Sequence, residues 1–200
     1  MTKINALTLE VPDVAAAESF YDTAFGLDGR LRFQQGTAPT TGFRGFTVSL
    51  VVADPTVVDS FIDPAVAAGA TVLKPAKKSL WGYGGAIAAP DGTVWTVATS
   101  SKKPTGAPAR TVDDIVLLLG VDDVAATKQF YVEHGLTVAK SYGGKYVEFD
   151  GASGGVTLAV QGRKAAAKNA GTDAQGSGSH RIVIDSDADA FTDPDGFVWR

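Results

Sequence analysis

Two stretches of this 200-residue chain spell nearly the same unit. "VPDVAAAESFYDTAFGL" (Val11 to Leu27) aligns with "VDDVAATKQFYVEHGL" (Val121 to Leu136). Val11 matches Val121, Asp13 matches Asp123, Val14 matches Val124 and Phe20-Tyr21 matches Phe130-Tyr131, all 110 residues apart. A Pro-Asp-Gly turn also recurs, at Pro90 and at Pro194, each time followed by one residue, a Val and a Trp. Strand, helix and turn signals return in the same order, which marks a duplicated structural unit. Two domains are expected, over residues 1–100 and 111–200. The aperiodic, Pro/Gly/Lys-rich "TSSKKPTGAPAR" supplies a linker at 101–110.

Within a unit, "NALTLEV" alternates Leu7, Leu9 and Val11 with Ala6, Thr8 and Glu10, as a half-buried strand does. Asp13 can cap a helix whose apolar residues Val14, Ala17, Phe20, Tyr21 and Phe25 keep the helical period until Gly26. "FTVSLVV" is a second alternating strand. "DPTVVDSFIDPAVAAGA" is a second helix, with Asp54 at its cap, Pro55 at its first position and a break or kink expected at Pro64. "TVLKP", "GGAIAAP" and "TVWTVA" complete the unit as short strands, with Asp91-Gly92 turning between the last two. The pattern is β-α-β-β-β, an α+β arrangement with helices on one face of a mixed sheet. "GRKAAAKNAGTDAQGSGS" (Gly162 to Ser179) reads as a mobile loop with at most a turn or two of helix.

Composition narrows the function classes. A hydrophobic fraction of 44% and a charged fraction of 20% suit a packed soluble protein. A net charge of -4 argues against a nucleic-acid partner. The absence of cysteine removes disulfides, thiolate nucleophiles and thiolate metal sites. "MTKINALTLE" has no apolar signal core and no apolar run reaches spanning length, so a cytoplasmic setting without a membrane partner is expected.

The "VPDV"-helix-"FY…GL" opening, the "WGYGG" segment and the closing "PDG" hairpin together resemble the vicinal oxygen chelate superfamily. That superfamily includes glyoxalase I, extradiol dioxygenases, fosfomycin-resistance proteins and bleomycin-binding proteins. The resemblance spans nearly the whole chain. It implies tandem βαβββ modules whose sheets curl into open cups, the glyoxalase/bleomycin-resistance fold. This chain is short for that plan. "GRLRFQQGT" passes almost directly to "FTVSLVV", and "HRIVIDSDADAF" meets "TDPDGFVWR" with no room for a helix. Each half is therefore expected to hold one full and one reduced module, and each half to build its own cup.

The resemblance also implies where a cation would sit in the metal-dependent members, held by two histidines and a glutamate with open positions for substrate oxygens. The first histidine falls on Ala6 and Val116, the second on Thr47 and His180, and the glutamate on Thr96 and Arg200. Alanine and valine carry no donor, threonine is a poor ligand, and arginine is itself a cation. A lone imidazole is no catalytic metal site. Neither a metal, a cofactor nor a catalytic residue is expected.

Ligand contacts are expected instead from Glu10, Thr47, Trp81, Tyr83, Thr96, Tyr146 and His180. Simple alternation puts His180 on a cup face with Ile182 and Ile184, although a structural role is the commoner fate of an isolated histidine. Trp81 and Tyr83 lie in a Gly-rich stretch where flat rings can stack on a planar ligand, or can merely plug a sheet edge. Tyr142 and Phe149 are weighed with Tyr146 as cup lining. Trp95 and Trp199 alternate away from the cups, toward the helices. One cup would show Ala6, Thr8, Glu10, Thr47, Ser49 and Thr96. The other would show Val116, Leu118, Gly120, Ile182 and Ile184, an apolar surface that must receive a ligand, another part of the chain or a second subunit. The expected function is metal-independent binding of a small hydrophobic or aromatic molecule, of which antibiotic sequestration is one form, with a homodimer as a further expectation. The alternative is a metal-dependent lyase, isomerase or dioxygenase that enlists His180 with Gln161 or Glu148.

Overall fold

In the computed structural model, which describes residues 2–27, 29–105, 110–151 and 154–200, matched aspartates start matched helices. Asp13 accepts from the Ala16 N–H ahead of α1 (Val14–Ala24), and Asp54 from those of Thr56 and Val57 ahead of α2 (Pro55–Ala67). Asp123 does the same for Ala125 and Ala126 ahead of α3 (Val124–Glu133). α2 runs through Pro64 instead of ending there. Its buried face, Val57, Val58, Phe61, Ile62 and Ala65, continues past the proline, and that packing outweighs one missing backbone hydrogen bond.

The first half supplies β1 (Ile4–Val11), β2 (Leu31–Gln35), β3 (Thr40–Gly42), β4 (Phe46–Val51), β5 (Thr71–Ser79), β6 (Gly82–Ala88) and β7 (Val94–Thr99). The second supplies β8 (Asp114–Val121), β9 (Val138–Ser141), β10 (Tyr146–Phe149), β11 (Thr157–Gly162), α4 (Arg163–Ala170), β12 (Gly176–Gly178), β13 (Ile182–Ser186), β14 (Phe191–Thr192) and β15 (Val198–Trp199).

Strand pairing crosses between the halves. The eight-stranded sheet, in the order β5-β6-β7-β4-β8-β11-β10-β9, joins the full module of each half through the antiparallel pair β4–β8. The five-stranded sheet, β14-β15-β13-β1-β2, joins the two reduced modules through β1–β13. A cup within each half was expected, yet both sheets draw strands from both halves. A reduced module is too short to flank its own first strand on both sides, so β1 and β13 satisfy each other's backbone groups. β3 leaves its module to form a small ribbon with β12. Residues 106–109 of the expected linker lie outside the described residues. Just before them Thr105 donates its hydroxyl to Asp54 at 2.7 Å, and this bond leads in holding the Asp54 carboxyl below the ordinary range.

α1, α2 and α3 pack on one face, and both turn tryptophans lie beneath them, fully buried. Trp95 meets Tyr21 and Phe25, while Trp199 meets Tyr131 and Phe191. Tyr21 donates to Asp91 at 2.9 Å, and Tyr131 donates to Asp193. Burial, seconded by the facing carboxylate, pushes both phenol pKa values up.

Candidate functional site

The expected cup faces are the sides of the two sheets that carry Thr47, Ser49 and Thr96 on one and Thr8 and Glu10 on the other. On the eight-stranded sheet, register sets Thr47 beside Leu118, and Ser49 between Val116 and Thr96. Ser49 and Thr96 share a hydroxyl hydrogen bond of 2.5 Å. Gln161, Tyr146 and Glu148 continue this face toward one edge.

Its centre is covered by α4. Ala166, Ala167 and Ala170 are fully buried, and the first two cluster with Phe43 and Leu118. A Cβ on Gly120 would come within 3.1 Å of the Arg163 Cα and 3.2 Å of the Ala166 Cβ, so helix and sheet are in direct contact. Polar bonds fix both ends. Arg163 Nε donates to the Ala174 carbonyl at 3.0 Å, and its guanidinium lies over Phe43. The Lys74 ammonium donates to the carbonyls of Lys168 and Asn169 at 2.6 and 2.8 Å, capping the helix C-terminus where a cation is favoured. The Ala/Lys part of the stretch, where a turn or two of helix was expected, is therefore a helix docked on the sheet, and the apolar surface expected to need an occupant has one from its own chain. An alanine run closed by Gly171, which takes φ +78, was the available signal.

The face of the five-stranded sheet is ionic. Arg200 Nε pairs with Asp185 Oδ1 at 2.7 Å, and its other nitrogens donate to Gln34 Oε1 at 3.2 Å and Thr8 Oγ1 at 3.1 Å. Thr8 donates to Asp185 at 2.5 Å, and Gln34 donates to Glu10 at 3.0 Å. Asp185 was not foreseen; it becomes visible only once β13 is paired with β1.

His180 is not on a cup face with Ile182 and Ile184. Arg181 takes φ +53, which resets the strand alternation. Ile182 and Ile184 then pair with Leu9 and Leu7 and join the main core beneath the sheet. The His180 ring stacks on Phe197, with Nδ1 2.5 Å from the Arg44 carbonyl and Nε2 3.0 Å from that of Asp195. Both ring nitrogens are thus engaged by backbone.

Of the remaining expected contacts, Tyr146 faces the concave side and donates to Glu148 at 2.9 Å. Burial first, and then Glu148, push its phenol pKa up, while Glu148 pairs with Lys140 at 2.6 Å. Tyr142 is exposed, and Phe149 lies in the core against Tyr131. Tyr83 turns toward α2 and donates to Asp59 at 2.9 Å, on the side away from Thr96. Trp81 stands at the β5–β6 hairpin, 85% exposed. Beside it runs an open groove of about 260 Å³ whose lining includes Lys74, Lys77, Gly82, Tyr83, Gly84 and Ala98. Thr47, Thr96 and Tyr146 therefore share one sheet face, Glu10 lies on the other sheet, and Trp81 marks the flank.

The donors at the superfamily's cation positions do not fit a cation. Ala6 and Val116 offer none, and Arg200 is committed to Asp185. Among the described residues no three of His, Asp and Glu converge as a ligand set. Nor is any helix among them long and apolar enough to cross a membrane.

No protein-family model and no curated protein matches the chain. Solved structures do. Glyoxalase I from Zea mays superposes with a TM-score of 0.65 at 12% identity, covering 100% of this chain and 91% of that one. A point variant of the maize enzyme gives 0.63 at 13% identity, covering 100% and 91%. A proposed dioxygenase from Bacillus subtilis gives 0.55 at 11% identity, covering 92% of this chain and 69% of that one. Identities this low establish architecture alone. The chain has the glyoxalase/bleomycin-resistance fold, assembled from two full and two reduced modules.

Proposed function

We propose that the chain is a metal-independent binding protein that holds a small aromatic molecule in the groove beside Trp81. The observation that carries this reading is the exposed indole at the border of a groove whose lining includes Gly82, Gly84 and Ala98. Such a lining admits a flat ring close to backbone, the indole offers a stacking partner, and Lys77 favours a ligand bearing negative charge. α4 fills the centre of the cup, so the open part of that sheet lies on this flank. The expected cation positions offer two hydroxyls, no carboxylate and one imidazole that already faces two backbone carbonyls, which supports capture without turnover, as sequestration of an antibiotic or a metabolite requires.

Trp81 reports on the proposal directly. Of the three tryptophans, Trp95 and Trp199 are fully buried, so a ligand in the groove changes the emission of Trp81 alone. A titration series of planar aromatic carboxylates beginning with 1-naphthoate is expected to quench that emission saturably. Trp81→Ala should weaken binding, followed by calorimetry, about tenfold, the scale of one lost aromatic stack. Emission unmoved across the series, or affinity unchanged in Trp81→Ala, would remove the groove as the site.

A further inference from the structure

The two copies of the repeated unit are closed differently where the helix N-terminus meets the Pro-Asp-Gly turn. In the second copy Asp195 latches the junction. Its carboxylate accepts from the Asp122 N–H at 2.8 Å and from the Thr127 hydroxyl at 2.9 Å. It is free to do so because Tyr131 has another acceptor, Asp193.

The first copy lacks every part of that latch. Pro12 stands where Asp122 does and has no N–H; Ala17 stands where Thr127 does and has no hydroxyl; Ala89 replaces Asp193 and cannot serve the tyrosine. Asp91, the counterpart of Asp195, turns instead to Tyr21 at 2.9 Å and to the Thr93 hydroxyl at 2.6 Å. A partly open hollow of about 140 Å³ is left between α1 and the turn, lined mostly by apolar atoms of Val11, Pro12, Ala16, Ala17, Phe20 and Pro90.

The geometry points to this hollow as a second small-molecule site, for an apolar ligand or ligand end no larger than one six-membered ring. Three features support it together. The volume approaches the roughly 150 Å³ at which an apolar cavity takes up benzene. The Phe20 and Tyr21 rings, edge to face at 5.0 Å, form an aromatic wall. The sister copy ties the same junction together through Asp195, so the repeated unit closes there without needing the space. The site lies on the helix side of the sheets and is independent of the groove beside Trp81.

Benzene is a sufficient probe, followed by methyl NMR on the intact chain. Saturable shifts are expected at Val11, Ala16 and Ala17, with Val121 and Ala126 in the latched copy unmoved and Trp81 emission unchanged. Ala16→Leu, at an exposed position the fold tolerates, places an isobutyl group over the hollow and should weaken the response at least tenfold. Unmoved methyls at saturating benzene would overturn the site. So would an undiminished response in Ala16→Leu, or equal shifts in both copies.

Discussion

Asp193→Ala is expected to lower the unfolding free energy by about 3–5 kcal/mol, the cost of stranding a buried donor and breaking a buried network. Asp193 accepts from the Tyr131 hydroxyl, from the Asp195 N–H at 3.0 Å and from the Phe197 N–H at 2.8 Å. Without it the fully buried phenol has no acceptor, and the turn under Trp199 loses its anchor. Tyr131→Phe is expected to be milder, about 1–2 kcal/mol, because the carboxylate keeps its two backbone donors. Urea unfolding at neutral pH measures both. The acid side carries a sign as well. Burial raises the Asp193 pKa above its ordinary value, only partly opposed by the Tyr131 bond. The part of its contribution that depends on protonation is therefore complete below the ordinary aspartate range and fades as pH rises through the folded value, while its hydrogen bonds to Tyr131, Asp195 and Phe197 remain at neutral pH. Asp54, whose pKa is lowered, works the other way and loses its contribution as pH falls through the folded value. Asp193→Asn should therefore gain on the wild type as pH rises from strongly acidic to neutral, measured by the same unfolding curves.

The second large effect is expected at Ala167→Asp. The Ala167 methyl is fully buried against a cluster containing Phe43 and Leu118. An unpaired carboxylate there costs several kcal/mol. α4 has eight residues, no side-chain N-cap and only alanines in its buried face, so it has little to set against that cost. It should lift while the sheets persist. Amide exchange at residues 163–171 is expected to lose its protection, with β4, β8 and α2 unchanged. Retained protection in α4 would contradict its place on the cup floor.

Much of this architecture was legible in the sequence because it rests on local signals. Capping aspartates, the alternation in "NALTLEV" and the two Pro-Asp-Gly turns each act within a few residues, and the helices and tryptophans lie where those signals put them. Pairing across the halves was not legible, since the unfilled edges of β1 and β13 become complementary only in space. The shared face expected for His180, Ile182 and Ile184 is lost for a single-residue reason: alternation assumes extended backbone, and the left-handed Arg181 breaks it. The turns of helix expected over the Ala/Lys part are α4, but its docking on the sheet was not legible, because its alanines carry too little apolar contrast to mark a buried face. At the candidate site the chemistry of Ala6, Val116 and Arg200 could be read residue by residue. The partnership of Arg200 with Asp185 needed the register of β1 against β13.

The central claim is that this glyoxalase-type fold works without a cation. Calorimetric titration of the metal-stripped chain with Zn(II), Mn(II), Ni(II) and Fe(II) addresses it most directly. No saturable heat at one equivalent is expected for any of the four ions. One tightly held ion per chain, with binding lost in His180→Ala or Glu148→Gln, would contradict it.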